Sequence, residues 1–125
     1  MIPQETIVAL ATPSGAGAIA IIRLSGAAAI TIAADVFQSV SGKDITKQKT
    51  HTIHLGHIVD PSTSSGQAGK VYDQVLLSIF KGPNSYTGEN VIEISCHGST
   101  FIQQQIIQLL LRRGAKMAQA GEFTL

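Results

Sequence analysis

The chain has 125 residues, 44% of them apolar, and nine basic against eight acidic side chains give a net charge of +1. That length fits one domain, residues 1–125, whose core is aliphatic because aromatics are 5% and tryptophan is absent. Three classes are disfavoured: an autonomous nucleic-acid binder, which needs many cations where this chain has only Arg112-Arg113 as its densest cluster; a membrane protein, since no apolar run reaches ~18 residues; and a disulfide scaffold, since Cys96 is the single cysteine.

In chain order, Thr6 to Ala11 reads as a short apolar strand, followed by a loop, Thr12-Pro13-Ser14-Gly15-Ala16-Gly17. Ala18 to Leu24 is a second strand, apolar on both faces and so expected at the centre of a sheet. Ser25 is placed to cap an Ala-rich helix from Gly26 to about Val40, with Ile30, Ala33, Ala34 and Phe37 at helical spacing. Ser41 to Gln48 is polar and reads as a surface loop. Thr52 to Val59 and Val71 to Phe80 read as partner strands around a Ser- and Gly-dense tip, Asp60 to Gly69. Pro83-Asn84-Ser85 punctuates the chain, and Val91 to Cys96 resumes a strand. Ser99 caps a helix from Thr100 to Arg113 with an Ile102, Ile106, Leu109, Leu110 stripe; Gly114 ends it, and Ala115 to Gln119 suits a last strand. Five to six strands with two main helices predict an α+β domain, a mixed sheet covered by helices on one face.

Several apparent sites fail on chemistry. The glycine-rich loop at Pro13 lacks the lysine of a phosphate loop and leads into a strand, so these residues carry no GTP site. His51, His54 and His57 read as surface histidines, because strand residues three apart face opposite sides. Cys96-His97 offers a nucleophile beside a base, but neighbours on a strand point apart and no third orienting group is identifiable. Cys96 reads as a buried small residue and Gly98 as a turn residue before the capped helix, and a ligand contact by His97 is the less favoured reading. The sequence therefore assigns no catalytic residue and no metal ligand.

Two charges stand inside apolar strands: Arg23 in Ile19-Ala20-Ile21-Ile22-Arg23-Leu24, and Glu93 in Val91-Ile92-Glu93-Ile94. A buried carboxylate needs a partner. One reading is an internal salt bridge. The other is a ligand pocket, in which the carboxylate takes the donor edge of a heterocycle and the arginine holds an anion or a carbonyl.

Three segments in order, Glu5 to Gly26 (ETIVALATPSGAGAIAIIRLSG), Gly82 to Gly98 (GPNSYTGENVIEISCHG) and Ala120 to Leu125 (AGEFTL), resemble the N-terminal domain of the tRNA modification GTPases MnmE, or TrmE. The stretch from Phe37 to Tyr72 carries little of the match, and the family pattern differs at Ser14, Ala16, Gln119 and Ala120. The resemblance implies a fold like the tetrahydrofolate-binding fold of the glycine cleavage T-protein. It implies a homodimerising domain that binds 5-formyltetrahydrofolate through Arg23 and Glu93, in a protein that modifies the wobble uridine (U34) of tRNA. A further binding lysine of the family lies beyond Leu125. The GTPase and helical domains, with their GTP, magnesium and potassium, are expected outside this chain, which reads as an excised or truncated domain. The family's partners are the flavoprotein MnmG (GidA) and tRNA. The N-terminus shows no signal-peptide pattern and no membrane partner is implied, so the cytoplasm is the expected location. A folate-dependent one-carbon transferase and a purely structural dimerisation module are the alternatives.

Overall fold

The computed structural model describes residues 5–13, 15–61, 69–82 and 89–118. Among these, strands β1 (Ile7–Leu10), β2 (Ile19–Ser25), β3 (Phe37–Ser39), β4 (Thr52–Asp60), β5 (Lys70–Phe80), β6 (Val91–His97) and β7 (Lys116–Met117) join helices α1 (Ala29–Val36) and α2 (Thr100–Arg112). The strands form one seven-stranded sheet in the order β3-β4-β5-β6-β2-β1-β7. Only the β1–β7 pair is parallel, so the sheet is mixed and the domain is α+β, as expected. β7 falls within the last strand expected at Ala115 to Gln119, and the strand that was not expected is the short edge strand β3.

Strand alternation divides the sheet into a packed face and an open one. Ala20, Ile22 and Leu24 of β2, Ile94 and Cys96 of β6, and Val75, Leu77 and Ile79 of β5 are buried in one core with Ile32, Ala33 and Val36 of α1 and Ile106, Leu109 and Leu110 of α2. Their neighbours Ile19, Leu76 and Leu55 are exposed. β2 lies inside the sheet as its sequence suggests, yet only one of its faces is buried.

The first helix departs most from its expected bounds. Ser25 does not cap it; Ser25 is a buried strand residue whose hydroxyl donates to Glu89 Oε2 at 3.2 Å. Gly26 has a φ of 142° that breaks the chain direction, and the helix starts at Ala29, with Thr6 Oγ1 accepting the Ala28 N–H at 2.9 Å. The helix stops at Val36 because Phe37–Ser39 pair with β4, Phe37 opposite Ile58. Gly56 makes this possible: a Cβ there would collide with the Phe37 ring and the Gln38 carbonyl. The polar segment that follows includes a 3-10 turn, Ile45–Lys47, that buries Ile45, with Asp44 Oδ1 accepting the Thr46 N–H at 2.9 Å.

β4 and β5 form the expected hairpin, with a bulge after Ile58 that makes Tyr72 the extra residue. Its tip, residues 62–68, lies outside the described residues, as do Ser14, Pro83-Asn84-Ser85 and everything after Ala118. Tyr72 donates to Asp60 Oδ2 and accepts from Arg112 Nη2, both at 3.2 Å, fastening the hairpin to α2. α2 matches its sequence: Ser99 Oγ accepts the Ile102 N–H at 3.2 Å, and Gly114 ends the helix at φ 116°.

His54 is not a surface residue. It is buried and shares a 2.8 Å hydrogen bond with Thr52 Oγ1. Desolvation, aided by the charge of Lys43, lowers its pKa from the ordinary 6.5. In the unfolded chain the ring titrates near 6.5, so the unfolded state takes up the proton first as pH falls. The stabilising preference for neutral His54 is therefore present above that value and is lost as pH drops through the lower folded-state pKa. Urea melts at about pH 7.5 and 5.5 should show the parent losing more stability on acidification than His54→Gln. Equal losses would contradict this.

Candidate functional site

Arg23 and Glu93 meet directly across the β2–β6 pair. Arg23 donates from Nη2 to Glu93 Oε2 at 2.6 Å and from Nε to the same oxygen at 2.9 Å. The side chains are 23% and 19% exposed, so the pair is half-buried on the open face rather than sealed in the core. A salt bridge at that depth contributes about 1 kcal/mol, because solvent screens it. Ala9 stands opposite Arg23 on β1, and Ser78 opposite Glu93 on β5.

The next rung brings Ile21, Ser95, Leu76 and Leu55 into one row across β2, β6, β5 and β4. Beyond it, Ile19 faces His97. These rungs border a depression of ≈ 240 Å³ whose lining includes Ile19, Leu55, Gln74, Leu76, Ser95 and His97. The open face thus presents an anion–cation pair at one end and an aliphatic floor at the other.

Sequence reasoning missed the partner of His97. Asp73 of β5 accepts the His97 backbone N–H on Oδ2 at 2.8 Å and faces the ring Nδ1 with Oδ1 at 2.7 Å. Its side chain is 7% exposed, while that of His97 is 69% exposed. The available signal was a lone carboxylate inside Val71-Tyr72-Asp73-Gln74-Val75. Cys96, buried as expected, has its thiol pushed up to about 11 by desolvation and by the Asp73 charge, which removes it as a nucleophile near neutral pH.

The three histidines point to different uses. His54 is buried, His57 half-buried, and His51 packs edge-on to Phe80 with ring centroids 5.3 Å apart. Among the described residues no group of three or more His, Cys, Asp or Glu side chains could hold a metal ion. No helix among them is long and apolar enough to cross a membrane. The loop after β1 runs into a strand, β2, and not into the helix that a phosphate loop requires.

These features define a small α+β domain with a single-sided helical layer and a polar pair on an exposed sheet face. Residues 6–125 match the family model described as "GTP-binding protein TrmE N-terminus", and the chain belongs to that family. It is 78% identical over 125 residues to the tRNA modification GTPase MnmE of Flavobacterium psychrophilum, covering 100% of this chain and 26% of that protein. Identity to the Flavobacterium johnsoniae protein of the same name is 70% over 125 residues, covering 100% and 25%. To that of Moorella thermoacetica it is 50% over 121 residues, covering 97% and 25%. The chain spans about a quarter of the length of these relatives.

Proposed function

We propose that this domain binds 5-formyltetrahydrofolate on its open sheet face and pairs with a second copy of itself, as part of a cytoplasmic GTPase that modifies the wobble uridine of tRNA. GTP with its magnesium and potassium, tRNA and the flavoprotein MnmG belong to the whole protein in this reading. The observation that carries it is the Arg23–Glu93 pair, set half-exposed beside aliphatic rungs on a face that neither helix covers. A reduced pterin is a flat ring whose amidine edge donates hydrogen bonds, and it needs both a carboxylate and apolar contact. Glu93 supplies the first; Ile21 and Leu76, one rung away, supply the second. Arg23 holds the carboxylate in place, and it can turn part of its fork to a carbonyl or carboxylate of the ligand. Bound folate would supply a one-carbon unit; the chain's own residues bind and orient it.

Calorimetric titration of the chain with 5-formyltetrahydrofolate should give saturable binding with one ligand per protomer. An absence of binding heat at millimolar ligand would overturn the folate reading. Exposed apolar side chains outside that site, such as Ile53, Val71 and Phe101, support the pairing with a second copy. Analytical ultracentrifugation at tens of micromolar should show about twice the 13.1 kDa of one chain. A single monomeric species would contradict it. One observation favours a purely structural role instead: Arg23 and Glu93 already satisfy each other within the chain, at 2.6 and 2.9 Å.

A further inference from the structure

The His97–Asp73 pair is built like half of a catalytic triad, with a buried carboxylate fixing an exposed imidazole. A carboxylate only accepts hydrogen bonds, so the ring hydrogen sits on Nδ1, toward Asp73 Oδ1. That leaves Nε2 pointing away from Asp73 on a side chain 69% exposed, at the rim of the ≈ 240 Å³ depression. Neutral, Nε2 accepts from an N–H; protonated, it donates to a carboxylate, with Asp73 balancing the charge. Asp73 also holds the chain in place. The last paired rung of β5 and β6 is Leu76 opposite Ser95, and beyond it Asp73 Oδ2 takes the His97 N–H at 2.8 Å. The imidazole is therefore anchored at both its backbone and its ring.

Glu93, Ser95 and His97 follow one another on the same face of β6, so the two ends lie roughly 13 Å apart along the strand. The depression lies toward the His97 end, bordered by Ser95 and His97 and not by Glu93, and it exceeds the cavity of about 150 Å³ that holds a benzene ring. We infer that His97, fixed by Asp73, is a second polar anchor of this face, and that it binds the arylamide–glutamate tail of a ligand whose pterin docks at Glu93. This rests on the folate reading and adds to it a direction along β6, an aryl subsite against Leu55, Leu76 and Ile19, and a contact at the far end. The tail carries both groups that Nε2 can meet, an amide N–H and carboxylates.

The test compares 5-formyltetrahydrofolate with a tetrahydropterin that lacks the aryl-glutamate tail, each titrated into the parent, His97→Ala and Asp73→Asn. His97→Ala keeps the backbone N–H that Asp73 accepts, so the sheet end stays closed. It should weaken the intact ligand about fivefold, the loss of one hydrogen bond, and leave the fragment unchanged. Asp73→Asn should shift the intact ligand in the same direction by less. Equal effects on both ligands, or on neither, would overturn the inference while the folate reading stands. A changed monomer–dimer equilibrium with unchanged binding would assign the depression to the second copy and likewise overturn it. A parent that binds neither ligand would remove the folate reading itself, and this inference with it.

Discussion

Gly98→Ala should lower the unfolding free energy by about 3 kcal/mol, combining overpacking against backbone with strained hydrogen bonds. The chain crosses itself here. Gly17 N donates to Gly98 O at 3.0 Å, and Gly98 N donates to Ala18 O at 3.2 Å. A Cβ on Gly98 would enter the Gly17 carbonyl group and come within 3.0 Å of the Ile19 nitrogen, and all of these are backbone atoms that cannot rotate away. The buried Gln103 holds the crossing from the helix side, its Nε2 donating to Gly15 O at 3.1 Å and to Gly98 O at 3.0 Å. Urea unfolding reads the effect directly; a loss under about 1 kcal/mol would show that the crossing relaxes easily.

If Glu93 is the pterin acceptor we propose, Glu93→Ala should weaken 5-formyltetrahydrofolate binding by about 2–5 kcal/mol, since the pterin donors then lose a charged acceptor. Arg23→Ala should cost about 1–2 kcal/mol of that binding, acting partly through the carboxylate it positions. Binding separates this account from the structural one. Because the pair is only half-buried, each substitution should lower the unfolding free energy by about 1 kcal/mol under either account. If the pair were purely structural, both variants would lose that stability and still bind folate as the parent does. Calorimetry and thermal melts on the same two variants read both quantities.

The parts of the fold that local chemistry dictates were legible. α2 carries its own start, stripe and stop in Ser99, Ile106, Leu109, Leu110 and Gly114, and the hairpin strands show through their β-branched runs. The first helix was legible but its bounds were not, because Ser25 has the chemistry of a cap and the distant partners Thr6 and Glu89 decide its role. The switch to β3 at Phe37 depends on the space at Gly56, nearly twenty positions later in the chain. Arg23 and Glu93 stood out as charges in apolar strands, and the register brings them together. A sheet with helices on one face was expected, but not that Arg23 and Glu93 stand on the uncovered face, since the apolar run of β2 reads as buried on both sides. Asp73 escaped notice because its meaning comes from His97, on another strand.

The central claim is that the face of β2 and β6 opposite the helices is a folate site. Backbone amide shifts of the ¹⁵N-labelled chain during titration with 5-formyltetrahydrofolate test it most directly. The account predicts saturable changes concentrated at Arg23, Glu93 and their cross-strand neighbours Ala9 and Ser78, extending to Ser95 and His97. Changes confined to α2 or to the exposed end of α1, or no saturable change at all, would contradict it.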